Sequence, residues 1–205
     1  MSEIKTDKLS PRTGAGTVTL GTSGDSYTIP AGVTLTNAGT LTNTGTLTNS
    51  GTASGFGLFT SYAIIADQKS QNTHGGTFTN GAWRTRDLQT EIADPDSIVS
   101  ISSNQFTLGA GSYYIRWRAL THGAGGHQSR LYNVTDSASV AISETGKDHG
   151  GYGGVSVGSA RAVIAGTKAF SIEHQGKVST ASYGFGYAAN VTTEQYCTVE
   201  IYKEA

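Results

Sequence analysis

From Thr34 the chain reads T-L-T-N-A-G, T-L-T-N-T-G, T-L-T-N-S-G and then decays into T-A-S-G. Leu35, Leu41 and Leu47 recur at one phase, with Ala53 at the fourth; Asn37, Asn43 and Asn49 hold a second phase, and Gly39, Gly45 and Gly51 a third. Each hexad is a short β-branched strand closed by an Asn-x-Gly corner, where both residues tolerate a left-handed backbone. Self-similarity at a fixed short period marks a solenoid or a fibre shaft. A flexible Thr/Asn/Gly linker is the competing reading, but a linker has no need of a Leu column.

The repeat cannot stand alone. Ordering each backbone residue costs about 1–2 kcal/mol, whereas one buried Leu per hexad returns only about 1.5–3 kcal/mol. Several identical chains wound on one axis would bring the Leu columns together and pair the strand edges between chains. A threefold shaft held by Leu35, Leu41 and Leu47 is the simplest closed solution.

Around the repeat, 28 Gly, 3 Pro and only 14% charged residues in 205 describe an all-β protein with many tight turns. A formal charge of -1 supplies no electrostatic case for nucleic acid or an anionic membrane. The one cysteine, Cys197, excludes an intrachain disulfide. It shares phase with Val199 and Ile201, so an inert thiol on the buried face of a strand is expected. No apolar run opens the chain, so neither a secretory signal nor a membrane span is expected, and the protein is expected to be made in the cytoplasm.

Three parts follow: residues 1–30 as an attachment segment with strand candidates at 17–20 and 26–29, residues 31–57 as the shaft, and residues 58–205 as one β domain. Period-two alternation places strands in that domain at 62–66, 76–79, 82–86, 98–101, 105–108, 113–118, 127–133, 140–144, 160–164, 169–174, 183–189 and 196–202. In 113–118, Tyr113, Ile115 and Trp117 take the inner face with Ala119, while Tyr114, Arg116 and Arg118 point outward. Short strands joined by Gly-rich turns indicate a sandwich or jelly roll.

The run Phe106-x-Leu-x-Ala-Gly-x-Tyr-Tyr-Ile115 and the closing aliphatic strand at 198–202 resemble signature strands of the tumour necrosis factor-like and complement-globular-head superfamily. The opening Ile4-Lys-Thr-Asp-Lys-Leu-Ser-Pro-Arg-Thr-Gly14 and the stretch Thr79-x-Gly-Ala-Trp-Arg-Thr-Arg-Asp-Leu88 are similar to segments of short fibre proteins of tailed bacteriophages. The resemblance implies a homotrimer with a jelly-roll knob at its distal end, made in the host cytoplasm and carried on the virion. Functional sites vary within that group, so it transfers no binding residue.

Sites with chemistry are few. Gly154-Val-Ser-Val-Gly158 matches the nucleophile-elbow pattern but lies in a Gly-rich stretch with no helix after it. Asp94-Pro-Asp96 with Glu91 reads as a type I turn rather than a calcium loop. The five histidines lack metal-ligand spacing, and His174, in phase with Phe170 and Ile172, is expected in a core or interface. Tyr183-Gly-Phe-Gly-Tyr187 sets three aromatics on one strand face; exposed they would stack on sugar rings, but burial is expected. Surface contact is expected instead from the loops 121–127 and 146–154, with His122, His127, His149 and Tyr152 as candidate receptor contacts. No catalytic, cofactor or metal residues are expected. The chain thus reads as a non-enzymatic virion fibre that partners itself, other virion proteins through its N-terminal segment, and a host surface glycan or protein; a capsid-decorating head fibre is the alternative.

Overall fold

The computed structural model describes residues 58–149 and 152–204, with Ser26, Thr28, Ile29, Thr34, Thr36, 38–40 and Thr42. The shaft expectation, with Leu35, Leu41 and Leu47, and the strand candidate at 17–20 lie outside the described residues; Ser26, Thr28 and Ile29 are not in a strand. The chain divides into two units, Met1–Ser50 and Gly51–Ala205, and the architecture below belongs to the second.

Twelve strands and no helix make up the described residues of that unit. They are β1 (Phe59–Lys69), β2 (Arg84–Thr85), β3 (Thr90–Ala93), β4 (Val99–Ser102), β5 (Gln105–Leu108), β6 (Gly111–His122), β7 (Gly126–Asn133), β8 (Ala138–Ile142), β9 (Gly146–Lys147), β10 (Gly153–Ile164), β11 (Lys168–Gly176) and β12 (Glu194–Glu204). One sheet runs β10-β6-β12-β1-β3 and the other β4-β5-β11-β7-β8, with β2 also on β11 and β9 also on β7. The chain passes from one sheet to the other at β1–β2, β2–β3, β3–β4, β5–β6, β6–β7, β9–β10, β10–β11 and β11–β12. Its last strand lies between β6 and β1, and each of these pairings is antiparallel. That is a jelly-roll sandwich.

Alternation builds the core. Along β6, Tyr113, Ile115, Trp117 and Ala119 are buried while Tyr114, Arg116 and Arg118 face out, as the period-two reading requires. Phe106 and Phe170 stack between neighbouring strands at 5.7 Å. Val199, Ile201 and Cys197 face inward from β12, and burial pushes the Cys197 thiol up to about 12, so it is an inert core group. Ser103 and Asn104, both with positive φ, make the two-residue turn between β4 and β5.

Three expectations about strands fail. Residues 183–185 are turn and 186–189 irregular, because Ser182 and Gly186 take positive φ and Gly186 N–H bonds back to Tyr183 O at 2.9 Å. Residues 76–79 contribute only the bridge Phe78–Thr180. Gly154–Gly158, expected in a loop, lies inside β10.

Candidate functional site

The apparent nucleophile elbow is a packing device. Ser156 is fully buried, and its Oγ lies 2.7 Å from Ser129 Oγ and 2.5 Å from Ser143 Oγ while accepting from Ser129 N–H at 3.0 Å. The two flanking glycines make room for neighbours: a Cβ at Gly158 would overlap the Trp117 ring and one at Gly154 the His127 imidazole. Asp94 is similarly committed, its carboxylate accepting from Ile98 and Val99 N–H at 2.9 Å. Among the described residues no group of three or more His, Cys, Asp or Glu is placed to hold a metal ion.

A buried polar layer lies between the sheets at the end where β1 finishes and β7 begins. Arg86, fully buried, donates to Leu120 O at 2.8 Å, Tyr196 O at 2.9 Å and Phe185 O at 3.0 Å, and its guanidinium lies 4.3 Å from the Phe185 ring. Its charge faces Asp67 at 3.4 Å. Burial pushes the Asp67 carboxyl up, with Arg86 and then Lys69 drawing it back. His127 Nδ1 and His174 Nε2 are 3.0 Å apart, while His127 Nε2 and His174 Nδ1 have no hydrogen-bond partner. Burial lowers both rings; Asp148 partly offsets this at His127, and Arg86 and His127 add to it at His174. His127, read from the sequence as a candidate contact, is almost fully buried and reaches the surface only as part of the wall of the cleft described below. Its place on the inward face of β7 buries it against His174.

Next to this layer sits a platform of four rings, two exposed tyrosines and two half-buried histidines. His74 follows β1, His122 ends β6, and Tyr183 and Tyr187 come from the segment between β11 and β12. Ring centroids are 4.5 Å apart for His74–Tyr187, 5.2 Å for His122 with each tyrosine, 5.5 Å for Tyr183–Tyr187 and 5.8 Å for His74–Tyr183. Tyr187 is 59% exposed and Tyr183 37%. The expected burial of this aromatic row is thus overturned: without a strand the rings do not share one face, and only Phe185 turns inward, between Arg86 and Phe78.

The platform is held by bonds from below. Gly75 and Gly76 N–H donate to Gly186 and Ser182 O, Phe185 N–H to Gly76 O, and His122 N–H to Gly184 O, all at 2.9–3.1 Å. Ala188 N–H donates to His74 Nδ1 at 3.0 Å, which leaves the neutral ring protonated at Nε2. Glu194 accepts from Ala189, Asn190 and Asn72 N–H, and these bonds, Ala189 first, hold its carboxyl below the usual range. Tyr187 is thereby fixed on both sides in sequence.

Of the other candidate contacts, His122 belongs to this platform, while His149 and Tyr152 are both exposed, with Tyr152 N–H donating to His149 O at 3.1 Å. The strand register sets Gly153 opposite His122, which brings the neighbouring Tyr152 to the same end of the sheet. Sequence reasoning did not single out His74, nor a cleft of about 370 Å³ on the outer side of the second sheet, lined by Trp83, Gln128, Lys147, Gln175 and Lys177 among others. The pairing of Gln128 with Gln175 across β7 and β11 was the one signal available for it, and it needed the register.

No protein-family model matches the chain. No curated protein matches it either. Among solved structures it is similar to murine APRIL at pH 8.0, with 6% identity and a TM-score of 0.44 over 70% of this chain and 98% of that one. It is similar to the globular domain of zebrafish complement 1qA, with 16% identity and 0.41 over 69% and 95%. It is also similar to PRD1 vertex protein P5, with 15% identity and 0.44 over 73% and 100%. The jelly-roll assignment itself stands on the strand order and register.

Proposed function

We propose that this chain is a non-enzymatic structural protein of a phage particle, a homotrimeric fibre whose β-sandwich knob adheres to the host surface. The observation that carries the reading is the phased hexad repeat leading directly into the sandwich: one Leu per hexad cannot order a single chain, but three chains can share the core. A cluster of aromatics, with Phe59 and Tyr114 exposed and Tyr202 half-buried, supports self-association. Phe59 lies 5.1 Å from Tyr202 and 6.3 Å from Tyr114 on the outer face of the first sheet, where the chain enters β1. Apolar patches of this kind mark interfaces. The ring platform supports adhesion, since exposed, braced aromatics stack on sugar rings or protein side chains. Three copies on one axis would turn weak contacts into avidity.

Immunogold labelling of intact particles with antibody to the knob tests this. Label at the tail or its tip is the expected result. Label spread over the head would favour the capsid-fibre alternative and reduce adhesion to an accessory role, and unlabelled particles would remove the virion assignment.

A further inference from the structure

The cleft on the outer side of the second sheet is distinct from the ring platform and has its own chemistry. Strand register assembles it. β9 pairs with one edge of β7, β11 with the other, and β2 lies beyond β11, so Lys147, Gln128, Gln175 and the residue preceding β2, Trp83, are brought across one surface in that order. Gln128 and Gln175 are directly opposite each other on the floor; Gln128 Nε2 donates to Ser143 O at 3.4 Å, which leaves its amide oxygen and the Gln175 carboxamide to meet a ligand's hydroxyls. Lys177 extends past the end of β11, where its stem passes 3.6 Å from the position a Cβ would take on Gly126.

The Trp83 wall is preformed. Arg130 sets its guanidinium 4.4 Å from the indole and 4.3 Å from the Tyr132 ring, and Glu173 grips the same guanidinium at 2.6–2.7 Å. One side of the indole is therefore braced by a cation that already has its own anion. Lys147 and Lys177 are exposed and make no ion pair among the described residues. The acid next to Lys147, Asp148, is turned inward onto the Ala124 and Gly125 N–H groups.

We infer that this cleft binds an acidic sugar residue of a polysaccharide. Each part of such a ligand has a counterpart. The apolar C–H face of a pyranose packs on an indole, neighbouring hydroxyls exchange hydrogen bonds with carboxamides, which both donate and accept, and a carboxylate or sulfate is neutralised by two ammonium groups. A volume of about 370 Å³ falls at the lower end of the ~300–1,000 Å³ usual for small-ligand sites. A neutral sugar would leave both ammonium groups unanswered, and two ammonium groups match the one or two anions of a single sugar residue rather than the continuous phosphate backbone of a nucleic acid. The cleft and the platform flank the same short connection between the sheets, with His122 ending β6 and Gly126 opening β7. A four-residue separation spans at most about 14 Å, so one oligosaccharide can reach both.

The inference supplies a ligand class for the adhesion proposed above, and only its biological setting rests on that reading. It is tested by titrating the full chain with tetragalacturonate, a heparin tetrasaccharide and neutral maltotetraose, following tryptophan fluorescence. The chain has two tryptophans, and Trp117 is fully buried, so a response reports Trp83. The expected result is binding of one or both acidic sugars, weaker at high salt, and about tenfold weaker or more in Lys147→Gln/Lys177→Gln. The carboxylate and sulfate arms then say which anion is preferred. Maltotetraose binding as tightly as the acidic sugars, undiminished affinity in the double variant, or no response to any of the three would overturn the inference. Particle adsorption separates the two readings. Adsorption that needs the knob but ignores Lys147→Gln/Lys177→Gln would retain adhesion and reject the cleft as its basis. Sugar binding by a knob that particles do not need for adsorption would do the reverse.

Discussion

Trp117 donates its indole Nε1–H to Ser129 Oγ at 2.7 Å, a bond that crosses the sandwich from β6 to β7. Ser129 in turn meets Ser156 on β10, and Ser143 closes the cluster. One large ring and three small hydroxyls thus replace what would otherwise be apolar packing between the sheets. Ser129→Ala leaves the indole N–H without a partner and is expected to cost about 1–3 kcal/mol. Gly158→Ala pushes a methyl into the ring itself and is expected to cost about 3 kcal/mol or more. Urea denaturation followed by tryptophan fluorescence measures both; an unaffected Gly158→Ala would mean that β10 does not hold its register against β6.

Much of this sandwich is legible in the sequence because its central strands alternate. The 113–118 and 105–108 segments carry an unbroken alternation; the structure makes both strands and keeps the two faces read for 113–118. The first half of β10 was hidden for a specific reason: its glycines look like a loop, yet they are small because Trp117 and His127 occupy the space where their side chains would be. β3 shows too little alternation to be seen. The segment 183–189 failed in the opposite sense. Tyr-Gly-Phe-Gly-Tyr has a strand period, but its backbone bonds go to residues 75–76 and 122 in separate short links rather than to a neighbouring strand. Long-range partners of this kind leave no periodic trace. The ring platform and the cleft, both made across such partners, were therefore the least legible parts.

Arg86 ties β1, β6, β12 and the platform segment to one guanidinium. Arg86→Met removes its three carbonyl contacts and leaves Asp67 buried without its main counter-charge. Breaking a buried pair from one side is expected to cost about 3–5 kcal/mol. Adding Asp67→Asn should restore part of that loss, since the stranded charge is gone while the lost carbonyl bonds are not. Melting temperatures of the two single variants and the double variant form the cycle, and strictly additive losses would show that the pair is not coupled.

Acid is expected to loosen the knob in two stages. His127 and His174 are both held below 6.5, chiefly by burial. Above that pH both rings are neutral in folded and unfolded chains and add no slope. Below it the unfolded chain takes up protons that the folded chain refuses, so stability falls as pH falls. Glu194 acts lower. Its carboxyl is depressed from 4.5, so its contribution is present above that value and is lost as pH drops through the folded one. Denaturation midpoints from pH 8 down to about 2 should be flat at first and then decline in two steps, the first below pH 6.5 and the second below pH 4.5. His174→Gln, which keeps a hydrogen-bonding group beside His127 but does not titrate, should reduce the first step and spare the second.

Tyr183 and Tyr187 should matter to binding more than to folding. Both are exposed, and the backbone beneath them is fixed by bonds that do not involve their rings. Tyr183→Ala/Tyr187→Ala is expected to change stability by no more than about 1 kcal/mol. If adhesion uses this platform, the same variant should lower particle adsorption severalfold, as loss of exposed aromatic anchors does. Normal adsorption with normal stability would move the contact away from the platform.

The assembly prediction separates the repeat from the knob. Leu35→Ser/Leu41→Ser/Leu47→Ser removes the only apolar column of the hexads, and a shaft that depends on it should fall apart to single chains in sedimentation equilibrium. Phe59→Ser/Tyr202→Ser instead opens the aromatic stack on the outer face of the first sheet, which Tyr114 completes. A trimer lost with the Leu column and kept with the aromatic change would place the associating force in the repeat. The reverse outcome would place it in the knob and leave the hexads as a follower of an assembly made elsewhere. Loss in both would mean that neither surface alone offsets the entropy of bringing three chains together, so that the two interfaces form as one cooperative unit.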